Sequence, residues 1–123
     1  MNTQITELVI NGEVYVKKSE ASALAPKKDG MKYVIARSAR AGVFAGYLES
    51  RTGQEVVIRN GRRIFYWDGA ASLSQLAMSG TTAPDKCQFP EEVDRVELLE
   101  VIEILDVTEK AKQSIAGVKV WKR

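Results

Sequence analysis

The sequence contains no histidine and a single cysteine, Cys87. Histidine is the commonest general base and metal ligand, so its absence removes the catalytic triads that use it and most zinc sites. One cysteine cannot form an intramolecular disulfide, which is compatible with a reducing cytoplasm. Neither a Walker-type phosphate loop nor a G-x-G-x-x-G stretch occurs. These absences predict a binding protein rather than an enzyme, with no catalytic residue, metal or cofactor.

Long apolar runs are missing as well. No window approaches the roughly 20 apolar residues that a membrane-spanning helix needs. The opening residues MNTQITELVING lack the basic start and apolar run of a signal peptide. We therefore expect a cytoplasmic, soluble protein with no membrane partner. The 123 residues, 45% of them hydrophobic and 28% charged, fit one ordinary folded domain.

Charge is unevenly distributed along the chain. Residues 31–67 contain seven basic and two acidic residues, whereas residues 85–110 contain nine acidic and three basic residues. This polarity predicts either an anionic ligand on the first segment or a self-complementary assembly of several copies. The alternative is that the two segments neutralise each other within one domain.

Turn signals divide the chain into a short N-terminal unit, 1–30, and a main domain, 31–123. Asn11–Gly12 between β-branched residues predicts a hairpin, and the Pro- and Lys-containing stretch that follows reads as a linker. In the main domain, MKYVIARS predicts one strand. The stretch from Gly42 to Trp67 predicts three more, with turns at Arg51–Gly53 and Asn60–Gly61.

Helical spacing follows the last of these strands. Asp68 is a candidate helix cap, Ala70, Leu73, Leu76 and Ala77 share one helical face, and Gly80 is a stop signal. Residues 94–106 fit both a strand and a helix, and their β-branched content favours one long strand. EKAKQSIAG predicts a second helix, and VKVWKR a final strand or tail. The fold expected is α+β: a mostly antiparallel, partly barrel-like sheet with two or three short helices.

The segment RRIFYWDGAAS, residues 62–72, carries the chemistry that suits a ligand. Arginine can grip a phosphate through two hydrogen bonds, and Tyr and Trp provide flat surfaces on which a base can stack. A helix opening after Asp68 would add free backbone N–H groups for an anion. Arg40 lies among small residues that let a ligand approach the backbone. The candidate ligand-binding residues are Arg40, Arg62, Arg63, Tyr66, Trp67 and Ser72.

The alternative for this segment is a corner of the hydrophobic core. Phe65 is then the first core member, together with Ile64, Leu73, Leu76 and Ala77. Tyr66 and Trp67 point to opposite faces of a strand, so only one of them would reach a ligand. A second basic and aromatic cluster, formed by Lys119, Trp121, Lys122 and Arg123, could be a tail that packs on a neighbouring subunit.

Residues 41–80 resemble small proteins of tailed phages, and in particular the Thoeris anti-defence sponge family. The matching positions are Gly42, Gly46, Val57, Ile58, Asn60, Ile64, Trp67, Gly69, Leu73, Leu76 and Gly80. Members of that family bind the cyclic ADP-ribose-type signal of bacterial TIR enzymes, and in some cases the cyclic oligonucleotides of CBASS defence. They sequester the molecule without cleaving it, as dimers or larger oligomers with pockets shared between chains.

The resemblance implies a homo-oligomeric phage protein that sequesters a cyclic nucleotide immune signal in the cytoplasm of an infected bacterium. It assigns no ligand contact, so the candidate residues above rest on their chemistry alone. Two other functions remain open from the sequence. One is a small nucleic-acid-binding protein, against which the acidic second half argues. The other is a structural or assembly protein whose aromatic residues anchor an interface.

Overall fold

The computed structural model describes residues 23–123, so the hairpin predicted at Asn11–Gly12 lies outside the described part of the chain. The end of the predicted linker is included, and it lies along the main domain. Ala25 N–H donates to the Val107 carbonyl at 2.9 Å, and Leu24 forms an isolated bridge with Thr108. This stretch therefore contacts the same residues that lead into the last helix.

Five antiparallel strands form a single sheet, which confirms the expected α+β class. The strands are β1 (Tyr33–Ser38), β2 (Gly42–Thr52), β3 (Glu55–Arg63), β4 (Val93–Leu98) and β5 (Val101–Asp106), in the spatial order β4-β3-β2-β1-β5. Two α-helices, α1 (Leu73–Ser79) and α2 (Glu109–Ala116), and a short 3₁₀ helix, Pro84–Lys86, complete the described fold.

The sheet curls enough to bring its two edge strands together at one end, but it does not close. β4 and β5 lie at opposite edges of the sheet, yet only Leu99 and Glu100 connect them. Glu100 adopts a positive φ of 57°, and Ala39 N–H donates to its carbonyl. Val101 N–H donates to the carbonyl of Gln54, in the β2–β3 turn. The two edges therefore converge at this end, while no ladder pairs β4 with β5 among the described residues.

The turn predicted at Asn60–Gly61 is wrong. Both residues lie inside β3, so residues 42–63 form two strands rather than three. Asn60 does adopt the positive φ that favours this residue pair, 53°, but it does so in a β-bulge opposite Gly46, where the β2–β3 register shifts. The turn predicted near Gly53 is confirmed, with a φ of 60° at that glycine.

Residues 94–106 contain no helix, as their β-branched content predicted, but they form two strands interrupted at Leu99 and Glu100 rather than the single long strand expected. The predicted stop at Gly80 and the second helix are also confirmed. The predicted cap at Asp68 is wrong, because the α1 cap is Ser72, whose hydroxyl accepts from Gln75 N–H at 3.1 Å. α1 therefore begins four residues later than a cap at Asp68 would place it.

The core has two parts, one on each side of the sheet. Helices α1 and α2 cover the outer side, where the buried residues include Tyr33, Ile35, Tyr47, Ile64, Leu76, Ala77, Phe89 and Ile115. The concave side of the curl encloses Val34, Ala36, Phe44, Val56, Ile58, Leu98 and Val101. Alternate residues of β1 feed the two parts, as a pleated strand requires. No helix in the described part of the chain is long and apolar enough to cross a membrane.

Candidate functional site

The predicted ligand residue Arg40 lies in the β1–β2 turn, where its side chain is 85% exposed and forms an ion pair with Glu100 at 3.1 Å. Two similar pairs run along the neighbouring strands, Arg37–Glu103 at 2.8 Å and Lys32–Asp106 at 3.0 Å. All three pairs join the basic segment to the acidic one. The structure thus supports the interpretation that the two segments neutralise each other within one domain.

Arg62 is the most buried of the six candidates, with only 7% of its surface exposed. Its guanidinium group donates to four backbone carbonyls, those of Phe89, Pro90, Ile115 and Val118, at 2.7–3.2 Å. It also lies 5.5 Å from the centre of the Phe89 ring. Arg62 therefore fastens β3 to the loop before β4 and to the end of α2, a largely structural role.

Arg63 lies on the concave side of the sheet instead. Its guanidinium group is 4.3 Å from the centre of the Phe44 ring and donates to the Ala41 carbonyl at 2.5 Å. Because Phe44 belongs to the core inside the curl and Phe89 to the core under the helices, the two adjacent arginines face opposite ways. One phosphate cannot be held by both.

The remaining candidates also lie apart. Trp67 packs against the outer core and donates its indole N–H to the Ala70 carbonyl at 3.2 Å. Ser72 is occupied as the α1 cap, and Tyr66 is half exposed beside Gln88. The expectation that Phe65 is a core residue is wrong, because it is 61% exposed and stacks on Trp121. The six residues chosen from sequence thus do not converge on one site.

A cleft on the outer side of the sheet combines more of the required chemistry. Its polar and aromatic lining is Lys28, Tyr33, Tyr47, Asn60, Arg62, Glu92 and Lys112, and its volume is about 390 Å³. We call it the tyrosine cleft. Ile115, Ala116, Val118 and Val120 form its apolar wall. Of the six predicted residues, only Arg62 reaches it.

Two tyrosines form one wall of the tyrosine cleft. Tyr33 and Tyr47 are directly opposite each other in the β1–β2 ladder, and their rings meet edge to face at 5.1 Å and 79°. Two lysines from different parts of the chain approach these rings. Lys28 Nζ lies 5.5 Å from the centre of the Tyr47 ring, and Lys112 Nζ lies 5.7 Å from the same ring and 5.8 Å from that of Tyr33.

Three polar side chains of the cleft are linked by hydrogen bonds. Lys28 Nζ donates to Asn60 Oδ1 at 3.2 Å, and Asn60 Nδ2 donates to Glu92 Oε2 at 3.1 Å. The bulge in β3 turns the Asn60 side chain toward these partners. With Arg62 and Lys112 included, three cations face a single carboxylate, so the cleft favours an anion.

Burial shapes the protonation of two groups in the cleft. It raises the pKa of the Tyr33 phenol, Glu92 and Tyr47 raise it further, and Arg62 opposes them. Burial also lowers the pKa of the Arg62 guanidinium, while Tyr33 and Glu92 act in the opposite direction. Tyr33 is a neutral hydrogen-bond donor at neutral pH, as any tyrosine is, and the raised pKa keeps it neutral in more alkaline solution as well. No group of three or more metal-ligating side chains occurs within residues 23–123.

Sequence reasoning missed this site, because its residues come from five separate places in the chain. Tyr33 and Tyr47 could have been noticed as aromatic residues in two neighbouring strands. Lys28, Asn60 and Lys112 carry no local motif, since only the sheet register and the packing of α2 bring them together.

The chain is an α+β domain with a curled, open antiparallel sheet and a basic, aromatic cleft beneath its last helix. It belongs to the family described as a domain of unknown function, DUF6948, whose model matches residues 31–115. That match covers all five strands and most of α2. No curated protein matches the chain, and no solved structure matches it.

Proposed function

We propose that this protein binds a nucleotide, a small anionic ligand with a planar ring, in the tyrosine cleft. The protein sequesters the nucleotide without cleaving it. The observation that carries the proposal is the pair of lysines, Lys28 and Lys112, held against the two buried tyrosines at a cleft of about 390 Å³. Cations that lie against aromatic rings, with a single carboxylate nearby, suit an incoming phosphate.

The polar groups of the cleft divide between the parts of such a ligand. Lys28 and Lys112 can turn from the tyrosine rings toward a phosphate, because both side chains are long and flexible. Asn60 offers a donor and an acceptor to the edge of a base, and Tyr33 offers a neutral hydroxyl. Arg62 contributes positive charge to the cleft without donating to the ligand, because its N–H groups donate to backbone carbonyls.

The size of the tyrosine cleft restricts what it can enclose. Ligand pockets usually measure about 300–1,000 Å³, so 390 Å³ suits a mononucleotide-sized molecule or one part of a larger one. A cyclic di- or trinucleotide would extend beyond the cleft. A second copy of the chain would then cover the remainder, which agrees with a homo-oligomer that shares its pockets.

The identity of the ligand is proposed from the resemblance of residues 41–80 to the Thoeris anti-defence sponges. On that basis the protein is a phage anti-defence protein, and its ligand is a cyclic nucleotide immune signal. Candidates are a cyclic ADP-ribose-type molecule or a CBASS cyclic oligonucleotide, met in the cytoplasm of an infected bacterium. Sequestration needs tight binding and no catalytic group, so the proposal does not require an enzyme.

The test is calorimetric titration of the purified protein with cyclic ADP-ribose isomers, cyclic di- and trinucleotides and AMP. Bound ligand is then released by heating and identified by chromatography. We expect one class to bind and to be recovered unchanged. Lys112→Gln should weaken its binding at least tenfold, whereas Lys110→Gln, an exposed change on the same helix and outside the cleft, should leave the affinity within twofold.

Three results would contradict the proposal. The first is no binding across the panel, and the second is recovery of a degraded ligand. The third is an equal effect of the Lys112 and Lys110 substitutions, which would place the ligand elsewhere. Failure of the cyclic compounds together with binding of AMP would preserve the cleft as a nucleotide site and remove the immune signal as its ligand.

A further inference from the structure

Two aromatic rings lie exposed and parallel on the surface, and neither of them lines the tyrosine cleft. Phe65 and Trp121 stack with ring centres 5.3 Å apart and an angle of 6° between their planes. Phe65 is 61% exposed and Trp121 is 36% exposed, so the stack presents open ring surface to solvent. We call the pair the aromatic platform. Neither core cluster includes either ring.

Backbone hydrogen bonds hold the two halves of the platform in place. Phe65 N–H donates to the Gln88 carbonyl at 3.2 Å, and Trp121 N–H donates to the Phe89 carbonyl at 3.0 Å. These two acceptors, Gln88 and Phe89, are themselves held in place. The Phe89 side chain is fully buried, and Arg62 donates to the Phe89 carbonyl. The rings are therefore set on a rigid base, so little ordering is needed when a ligand binds.

Basic residues flank Trp121 in the sequence. The C-terminal segment 117–123 contains Lys119, Lys122 and Arg123 and no acidic residue. Flexible cations beside exposed, flat aromatic rings suit a polyanion with aromatic bases, because the cations attract the phosphates and the rings accept stacked bases.

We infer that the aromatic platform is a stacking surface for the unpaired bases of a single-stranded nucleic acid, whose phosphates are held by the basic C-terminal segment. A base can stack on an open ring face whatever its sequence, because every base has a flat π surface. This site is separate from the proposed nucleotide cleft. Val120 lines the cleft, while the next residue, Trp121, stacks on Phe65.

The test is fluorescence anisotropy of a labelled oligothymidylate of about 12 nucleotides, titrated with the protein at about 50 mM and about 200 mM salt. Phe65→Ala and Trp121→Ala should each weaken binding about tenfold at the lower salt concentration, in line with the loss of one stacked base. Trp121→Phe should restore most of the affinity, because it keeps a flat ring. Lys122→Gln should reduce the slope of log affinity against log salt by about 0.7.

Met78→Ala is the matched control, since Met78 is also an exposed apolar residue but lies on α1. Circular dichroism and the melting temperature establish that each variant is folded, and Lys122→Gln tests the site without altering the platform itself. The inference is overturned if the oligonucleotide does not bind at the lower salt concentration. It is equally overturned if Phe65→Ala and Met78→Ala bind alike, or if a duplex binds as tightly as the single strand.

Discussion

Arg62 and Arg63 are adjacent in the chain, yet their guanidinium groups lie on opposite sides of the sheet. Arg62 reaches the Phe89 ring and four carbonyls under the helices, whereas Arg63 lies over the Phe44 ring inside the curl. Each arginine therefore supports a different core cluster. This separation explains why a pair that resembles a phosphate grip in the sequence does not act as one in the fold.

We predict that Arg62→Ala lowers the free energy of unfolding by about 3 kcal/mol, because it removes several charge-assisted hydrogen bonds to buried carbonyls. Arg62→Lys should recover less than half of that loss, since a lysine lacks the planar fork that meets acceptors in several directions. Urea denaturation at neutral pH provides the measurement.

Arg63→Ala is the control in the same strand, and it should cost only about 1 kcal/mol, the scale of one partly exposed cation–π contact. Equal losses for the Arg62 and Arg63 variants would contradict the structural role assigned to Arg62.

The fold could be predicted from the sequence where one local signal dominated. The helix stop at Gly80, the β2–β3 turn at Gly53 and the strand preference of residues 94–106 needed no distant partner. The prediction of a turn at Asn60–Gly61 was wrong because a positive φ at Asn60 occurs in a turn and in a bulge alike. The choice depends on the register against Gly46, which local sequence does not contain.

The candidate site was harder to predict, because it depends on which face each residue occupies. Phe65 follows a strand and is strongly apolar, but Ile64 and Phe89 fill the core at that position and leave Phe65 outside. The charge of Arg62 predicts a ligand contact, yet its guanidinium group donates to backbone carbonyls. The lysines of the tyrosine cleft are separated by 84 positions, so only the folded chain brings them to the same ring.

Gly46 should be intolerant of any side chain, because β2 approaches the β3 bulge closely there. A Cβ at this position would lie 2.5 Å from Ile58 Cγ2 and 2.8 Å from the Arg59 carbonyl oxygen. We expect Gly46→Ala to lower the free energy of unfolding by about 2 kcal/mol or more through overpacking.

Gly53→Ala tests a different cost in the same hairpin. Its positive φ of 60° is unfavourable for alanine, but nothing lies within 4 Å of the added Cβ, so about 1 kcal/mol is expected. Thermal or urea denaturation of both variants distinguishes the two effects. A Gly46 variant as stable as the Gly53 variant would show that the bulge can open.

The two helix caps should differ in importance because one is buried. The Thr108 hydroxyl donates to the Met78 carbonyl at 2.8 Å and accepts from Ala111 N–H at 3.0 Å, which links α1 to α2. Thr108→Val should therefore lower the free energy of unfolding by about 2 kcal/mol. Ser72→Ala, at the exposed α1 cap, should cost about 1 kcal/mol.

Ligand titration of the Ser72 variant adds a second result. We expect its nucleotide affinity to be unchanged, because Ser72 does not line the tyrosine cleft. A tenfold loss of affinity in a folded Ser72→Ala protein would return the site to the strand-to-helix corner that the sequence suggested.

The stability that Tyr33 contributes to the fold should be lost in alkaline solution. The raised pKa means that the native state keeps the phenol proton above pH 10.0, the ordinary value, while the unfolded chain releases it. The stability that Tyr33 contributes is therefore fully present below pH 10.0, and it declines as the pH rises from there toward the native pKa. The expected decline is about 1.4 kcal/mol per pH unit.

The measurement is urea denaturation at about pH 9 and about pH 11. Tyr33→Phe should remove the part of the loss in free energy of unfolding that comes from the Tyr33 phenol. Tyr66→Phe, at an exposed position, corrects for the removal of one phenol from the chain. An identical alkaline loss in wild type and Tyr33→Phe would show that the Tyr33 phenol is not shielded from water in the native state.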